Sequence, residues 1–447
     1  MKIIIAGAYE IGSHLAKLLS RNDHDIVLMD ESEEKLENIS PDYDLLTMHA
    51  SPSSLKALKS AGAEHADLYI AVTPDESMNM NSCVMAKAVG AKKTVAMVNN
   101  YEFVEPELTK FFDKLGIDSL IYPENLAATD IVNGLKMSWV RQRWDVHGGA
   151  LVMLGIKLRE TCEILNQPLK DLCKPDSPYY IVAIRRDGET IIPRGDDSLH
   201  VYDMAYFMVT KQYIPYVRKI VGKEHYVDVK NVMVMGGGDT AIRALKNMPE
   251  YMNVKIIERD EARCDYLNEH IDNRNVMVIN GDGRDLSLLN EEGIRNTQAF
   301  VALTTNAETN ILACLTAKRM GVRKTVAAVE NLDYVNMAVS LDIGTIVNKK
   351  AIAASRIYQM MLETEVDNVS YLMTANAHVA EFVAQPQSKV TRKKVFELGL
   401  PKGATIGGLV RNGVGYLVSG GTQIEAGDIV VVFCYHQRMD KLEKYFK

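Results

Sequence analysis

The 447-residue sequence has six cysteines, and Cys83, Cys162, Cys173, Cys264, Cys314 and Cys434 show no CxxC or other paired spacing. That scatter excludes a disulfide framework and a cysteine-based zinc site as organising features, and leads us to expect reduced thiols in a cytoplasmic protein. Long apolar runs are also missing: the stretch Ile429 to Tyr435 falls far short of the roughly 20 residues that cross a bilayer. The opening Met1-Lys2-Ile3-Ile4-Ile5-Ala6-Gly7 is too short for a signal peptide and reads as a strand. The ten histidines (14, 24, 49, 65, 147, 200, 225, 270, 378, 436) include no HExxH and no close pair, so neither metal-ligand spacing nor a catalytic constellation is evident. Neither sign of charge is in large excess. With 51 Lys plus Arg against 58 Asp plus Glu, the net charge of −7 provides no electrostatic drive toward nucleic acid or anionic lipid.

What remains is an ordinary globular composition, 47% hydrophobic and 24% charged, with length for about three or four domains. Internal repetition organises it. Ile3-Ile4-Ile5-Ala6-Gly7-Ala8-Tyr9-Glu10-Ile11-Gly12 recurs as Val232-Met233-Val234-Met235-Gly236-Gly237-Gly238-Asp239-Thr240-Ala241, and Gly7 to Gly236 is an offset of 229. Ala71-Val72-Thr73 with Asn79 recurs as Ala302-Leu303-Thr304 with Asn310 at an offset of 231.

Within each copy, short β-rich runs alternate with segments of helical apolar spacing. The first copy offers strands near Lys2–Ala6, Asp25–Met29, Leu45–Met48, Leu68–Val72 and Thr94–Val98; the second offers Val232–Met235, Val254–Ile257, Val276–Ile279, Ala299–Leu303 and Thr325–Val329. Such alternation implies parallel sheets with right-handed crossovers. A helical stretch (Pro123–Val140, Lys349–Glu365) then leads into a smaller region of short strands and glycine turns. The fold class predicted is α/β: two doubly wound parallel-sheet Rossmann lobes, each followed by a small α+β lobe. The expected boundaries are 1–140, 146–222, 229–370 and 376–447.

A strand entering a glycine turn that opens a helix brings backbone N–H groups to a helix N-terminus, where the dipole favours a phosphate. The candidate binding residues are therefore Gly7, Ala8, Tyr9, Glu10, Ile11 and Gly12 in the first copy, and Gly236, Gly237, Gly238, Asp239, Thr240 and Ala241 in the second. Asp30, 23 residues after Gly7, and Glu258, 22 after Gly236, end the next strands, where a carboxylate accepts ribose hydroxyls. Tyr9 puts a bulky ring where the middle glycine lets a pyrophosphate approach, whereas Gly238 is retained, so the second site is expected to be the better formed. Gly281 and Asp282 follow the second copy's third strand. Thr73 and Thr304 fall at the sheet edge used by ligands, or cap the next helix, and Asn79 and Asn310 just inside that helix carry the same two readings. A tight turn without ligand is the alternative for the glycines, and a solvated carboxylate for Asp30 and Glu258.

The glycine turns lack the Lys-Ser/Thr of a phosphate-hydrolysing loop, and the small regions are poor in candidate acids and bases. No residue is assigned as catalytic and none as a metal ligand. His49 reads as a polar surface residue. Binding is favoured over turnover; the alternatives are an NAD-dependent oxidoreductase and a ring scaffold with degenerate nucleotide sites.

The order and duplication of these features resemble the peripheral regulatory subunits of Trk-type potassium uptake systems, built of tandem regulator-of-potassium-conductance (RCK) domains. The likeness spans the chain, including Met1-Lys2-Ile3-Ile4-Ile5-Ala6-Gly7, Ala66-Asp67-Leu68-Tyr69-Ile70-Ala71-Val72-Thr73, Ala317-Lys318-Arg319-Met320-Gly321 and the Gly427-Asp428 strand. The resemblance implies a cytoplasmic ring, commonly a homotetramer, attached to the inner face of the membrane through a separate potassium-translocating subunit. It also implies NAD(H), ATP or ADP as ligand and gating of uptake as the task. Members of the family commonly place arginines near the fifth strand's end; Met97-Val98-Asn99-Asn100 and Glu330-Asn331-Leu332 have none, which leans the expectation toward NAD(H) or a diphosphate.

Overall fold

The computed structural model describes the chain except residues 21–23, 40–42, 363–368, 373–376, 436–441, 443 and 447. His436 and most of the expected junction at 370–376 lie outside the described residues.

The first repeat begins with six strands, β1 Lys2–Ala6, β2 Asp25–Asp30, β3 Leu46–His49, β4 Leu68–Ala71, β5 Lys93–Met97 and β6 Ser119–Ile121. They form a parallel sheet in the order β3-β2-β1-β4-β5-β6. Helices cover both faces of such a sheet, so its central strands are apolar without alternation; Ile3, Ile4, Ile5 and Ala6 are all fully buried. Strand order reverses beside β1, and a ligand crevice lies at the carboxyl ends there.

The first small lobe has five strands: β7 Gln142–Val146, β8 Leu151–Lys157, β9 Tyr179–Arg186, β10 Glu189–Ile191 and β11 Met204–Val209, in the order β10-β9-β11-β8-β7. The second repeat reproduces both sheets. Its β12 Asn231–Met235, β13 Asn253–Glu258, β14 Val276–Asn280, β15 Ala299–Ala302, β16 Lys324–Ala328 and β17 Thr345–Val347 take the order β14-β13-β12-β15-β16-β17. β18 Val369–Leu372, β19 Ala377–Val383, β20 Ala404–Arg411, β21 Val414–Leu417 and β22 Ile429–Tyr435 then form an antiparallel sheet ordered β18-β19-β22-β20-β21.

By chain contacts the structure divides into two compact units. One comprises 1–127 with Lys349–Met361, so the helix Lys349–Leu362 joins the first Rossmann lobe: Lys349 pairs with Glu124 at 3.0 Å, and Lys350 pairs with Glu10. The other comprises 128–348 with 362–447. There the two small sheets share a core, and the reason is legible in β8 and β22. On β8, Val152, Leu154 and Ile156 face their own lobe's core while Leu151 and Met153 face the second small sheet. On β22, Val430, Val432 and Cys434 face inward while Val431 and Phe433 meet the first small sheet. The apolar run 429–435 is thus a strand buried on both faces. Positive φ at Asp187 and Gly188, and again at Asn412 and Gly413, gives the turns β9–β10 and β20–β21 the twist that a two-residue hairpin needs.

Besides the placement of Lys349–Met361 with the first lobe, where 229–370 is expected to form one lobe, the structure differs from the sequence expectation in two respects. The helix expected over Pro123–Val140 ends at Leu135, because Trp139 and Val140 are drawn into the first small lobe's core. Each parallel sheet also carries a sixth strand of three residues, β6 and β17, too short for a sequence period to reveal. All six cysteines are free; Cys83 and Cys314 lie fully buried at equivalent positions, and burial raises both thiol pKa values, that of Cys314 to about 12.

Candidate functional site

The two glycine turns follow β1 and β12, each at a strand order reversal. Gly7 (φ +110°) and Gly236 (φ +98°) adopt backbone that other residues rarely reach, and a Cβ on either would press on the backbone of Val72–Thr73 or Leu303–Thr304 at about 3 Å. Beyond them the helices Glu10–Leu19 and Asp239–Lys246 begin, with Tyr9 and Gly238 as N-caps. Neither cap supplies a side chain to the first N–H groups, which leaves them for another acceptor.

The turns differ at the mouth. Nothing lies within 4 Å of where a Gly238 Cβ would stand, so the backbone there faces open space. The surrounding cleft has a volume of about 530 Å³, well inside the range of small-molecule sites. Among its lining residues are Gly236, Gly237, Gly238, Glu258, Asp282 and Thr304. In the first copy Tyr9 stands at the mouth, 39% exposed, with the Lys35 ammonium 3.4 Å from its ring centre. That cleft holds about 290 Å³ and is lined by Tyr9, Asp30, Lys35 and Thr73 among others. The cation–π contact holds Lys35 against the ring at the edge of that cleft.

The carboxylates ending the second strands are placed alike but engaged differently. Asp30 Oδ2 accepts from the Ala8 N–H (2.7 Å) and Oδ1 from Ser32 (2.8 Å), and the residue is only 4% exposed. Glu258 Oε2 accepts from the Gly237 N–H (2.7 Å) and Oε1 from Asp260 (2.9 Å). Its longer side chain stays partly exposed at the cleft, and each oxygen has a further lone pair for a hydroxyl.

Several expected residues sit elsewhere in the design. Asn310 is fully buried: its Oδ1 accepts from the Thr304 N–H (3.1 Å) and hydroxyl (2.7 Å), and its Nδ2 donates to Thr304 O (2.8 Å) and Ala328 O (2.9 Å). Asn79 makes the same four bonds to Thr73 and Met97. Both amides therefore tie the end of the fourth strand to the fifth and line neither cleft. Thr73 and Thr304 do line the clefts, yet the helix caps are Asp75 and Asn306 rather than the threonines. Ala8, Ile11 and Ala241 are buried in the turn packing, Thr240 is half-buried behind it, and Gly281 packs on Leu288. Glu10 is held by Lys350 and Asp239 by Arg263 (2.6 Å). His49 bonds the Glu31 carbonyl at the surface and lines neither of the two clefts.

The second cleft does hold arginines, although not at the fifth strand's end, and it holds the carboxylates of Asp239, Glu258, Asp260 and Asp282 with them. Arg259, Arg263 and Arg284 line it, arriving from β13's end, the next helix and the turn after β14. Arg263 also donates to the Gly237 carbonyl (2.7 Å), bracing the glycine turn. Arg284 grips Asp282, whose carboxyl it holds down at about 2. The sequence carried a signal for this: Arg259 directly follows Glu258, where Glu31 follows Asp30, and Arg263 stands where the first copy has Lys35.

A profile of the TrkA-N domain matches residues 3–123 and again 232–349, and one of the TrkA-C domain matches 379–447. The chain belongs to the TrkA family. TrkA relatives align from end to end: the Trk system potassium uptake protein TrkA of Haemophilus influenzae is 31% identical, covering 100% of this chain and 99% of the relative. That of Azorhizobium caulinodans is 28% identical with the same coverage. Among solved structures, the GsuK RCK domain superposes with a TM-score of 0.60 at 15% identity over 100% of this chain and 94% of its own. The GsuK channel bound to NAD gives 0.60 at 14% identity, over 100% and 78%. At such identities the superpositions show the RCK fold. The TrkA-C profile matches the second small lobe, while the first small lobe is tied to it by the shared strand pattern alone.

Proposed function

We propose that this TrkA-family chain is a cytoplasmic nucleotide-sensing subunit that gates a separate membrane-embedded potassium-translocating protein, and that the second glycine turn is its principal sensor site. The observation that carries the reading is the open cleft at Gly238, lined by the Glu258 carboxylate and by Arg259, Arg263 and Arg284. Backbone N–H groups at a helix N-terminus, arginine countercharge and Glu258 suit an adenosine nucleotide. NAD(H) is the first ligand to test, with ATP and ADP as the alternatives; the GsuK structures with NAD and with ADP support that choice. Asp239, Asp260 and Asp282 line the cleft beside Glu258, and Arg263 and Arg284 are paired with Asp239 and Asp282, so the charge balance favours a dinucleotide or a diphosphate over a triphosphate.

Gating is then a matter of differential affinity: a nucleotide moves the equilibrium only by binding one arrangement of a homotetrameric ring more tightly, by about 1–3 kcal/mol per site. Reciprocity requires the translocating subunit to change nucleotide affinity by the same factor. We read the site as a sensor rather than a reaction centre, as the TrkA relatives are potassium uptake proteins. Calorimetry with NADH, NAD, ATP and ADP, repeated on Glu258→Ala, tests the assignment. Loss of the carboxylate should weaken binding by about 1.5–3 kcal/mol; an unchanged dissociation constant refutes the site, and consumption of NADH with a small substrate refutes the sensor reading.

A second reading concerns the first site alone. Tyr9 under Lys35 favours a turn that serves structure and binds nucleotide weakly.

A further inference from the structure

Away from both clefts, three cations converge on one carboxylate, with a fourth beside them, where the first small lobe meets the second Rossmann lobe. Arg141, just before β7, donates through Nη2 to Asp342 Oδ1 (3.0 Å), and Arg159, just after β8, donates through Nη2 to Oδ2. Lys318, near the end of the helix Ala307–Arg319, reaches Oδ2 at 3.3 Å and also bonds the Asp342 carbonyl. Lys157, at the end of β8, is half-buried beside them, and its side chain makes no hydrogen bond or ion pair among the described residues. Asp203, the other acid facing Lys157, is already clamped by Arg186 through two bonds (2.9 and 2.7 Å).

Asp342 itself marks the spot as unusual. It has φ +50°, at the position where the first repeat has Gly116 at φ +88°. An aspartate is thus kept in left-handed backbone that glycine fills without cost, and its carboxylate is the hub of the cluster.

We propose that this seam, bounded by Arg141, Lys157, Arg159 and Lys318, binds a tetrahedral oxyanion: the phosphate ion, or the phosphate group of a larger ligand. Four cations against one carboxylate leave three positive charges in surroundings of reduced dielectric, an arrangement that costs free energy unless an anion completes it. Donors for that anion are in place. Arg141 uses one of its five N–H groups and Arg159 one, both on Asp342, and Lys157 uses none. Arginine's planar fork and a lysine point charge are the groups that recognise phosphate, and a multiply charged oxyanion balances the excess where chloride does not.

The test titrates the full chain with inorganic phosphate, and separately with adenosine 5′-monophosphate, against sodium chloride at matched ionic strength. Lys157→Met and Arg159→Gln should each weaken phosphate binding about tenfold, the worth of one charge-assisted hydrogen bond. Asp342→Asn should tighten it, because the competing carboxylate is gone, even though the unliganded variant melts lower; a purely structural cluster would give no tightening. If the monophosphate follows the same pattern as phosphate, the natural occupant is a larger phosphate ester; if phosphate alone does, it is the free ion. Heats no larger than those in chloride, or affinities unmoved by Lys157→Met and Arg159→Gln, overturn the proposal.

Discussion

The Lys324 ammonium, on a residue only 1% exposed, donates to the carbonyl of Val140 at 2.7 Å. A lysine that opens a strand of the second Rossmann lobe is thereby tied to the chain as it enters the first small lobe. Burial, with Arg141 nearby, brings its pKa down to about 7.

The shift has a definite sign for stability. Between pH 7 and the ordinary lysine range the unfolded chain holds a proton that the folded chain has released, so stability rises with pH across that window, by up to about 1.4 kcal/mol per unit. Below pH 7 both states are protonated and the full cost of a buried ammonium is felt. Relative to the parent, Lys324→Met should be most favourable near pH 6 and lose ground steadily toward pH 10. Urea unfolding at pH 6, 8 and 9.5 checks this, and a pH-independent difference refutes it.

Exchanging the residues at the two mouths should exchange the behaviour of the two sites. Tyr9→Gly frees the backbone of the first turn and is expected to add a second nucleotide-binding event in calorimetry. Gly238→Tyr should weaken the second site by at least about tenfold without lowering the melting temperature, since open space surrounds that position. A stoichiometry unaltered by Tyr9→Gly would locate the defect of the first site elsewhere, in its buried Asp30 or its lack of arginine.

The buried Asn310 and Asn79 should behave as structural residues. Asn310→Ala leaves the Ala328 carbonyl and the Thr304 N–H without partners, at a cost of about 2–3 kcal/mol. Thermal unfolding should show a clear loss, while nucleotide affinity of the folded protein changes less than for Glu258→Ala. Equal or larger loss of affinity would place the amide at the ligand after all.

Each small lobe holds an equivalent ion pair on a buried carboxylate. Arg186 grips Asp203 as Arg411 grips Asp428, each through Nε and Nη2 at 2.7–2.9 Å, and both aspartates are 1% exposed. Each carboxylate also accepts a turn N–H, from His200 or Glu425. Removing the arginine strands a buried charge, so Arg186→Leu and Arg411→Leu should each destabilise by about 3–5 kcal/mol. Arg186→Leu with Asp203→Leu should recover a good part of that loss; a double variant as unstable as the sum would contradict a shared pair.

Much of this was legible in one dimension. Period and glycine spacing in Ile3–Gly12 and Val232–Ala241 announced the parallel sheets and the place of their crevices, because a strand entering a left-handed turn before a helix has few alternatives. The short strands and glycine turns after each helical stretch likewise announced the duplicated small lobe. The function of Asn79 and Asn310 was ambiguous for a physical reason: an amide inside a helix start can face a ligand or the fifth strand with the same local sequence. Arg259 and Arg284 lie away from the fifth strand's end, where the family resemblance places arginines; the cleft takes its cations from beyond the second and third strands.

The chain's order of residues alone determined the doubled architecture, the positions of both glycine turns and the asymmetry between Tyr9 and Gly238, since each of these depends on neighbours a few positions apart. Only the tertiary structure decided that Lys349–Met361 joins the first lobe, that β8 and β22 bury both faces, and that Arg141, Arg159 and Lys318 meet at Asp342. Those contacts join residues tens to hundreds of positions apart, and no local period records which surface a second sheet, a helix or a distant charge will find.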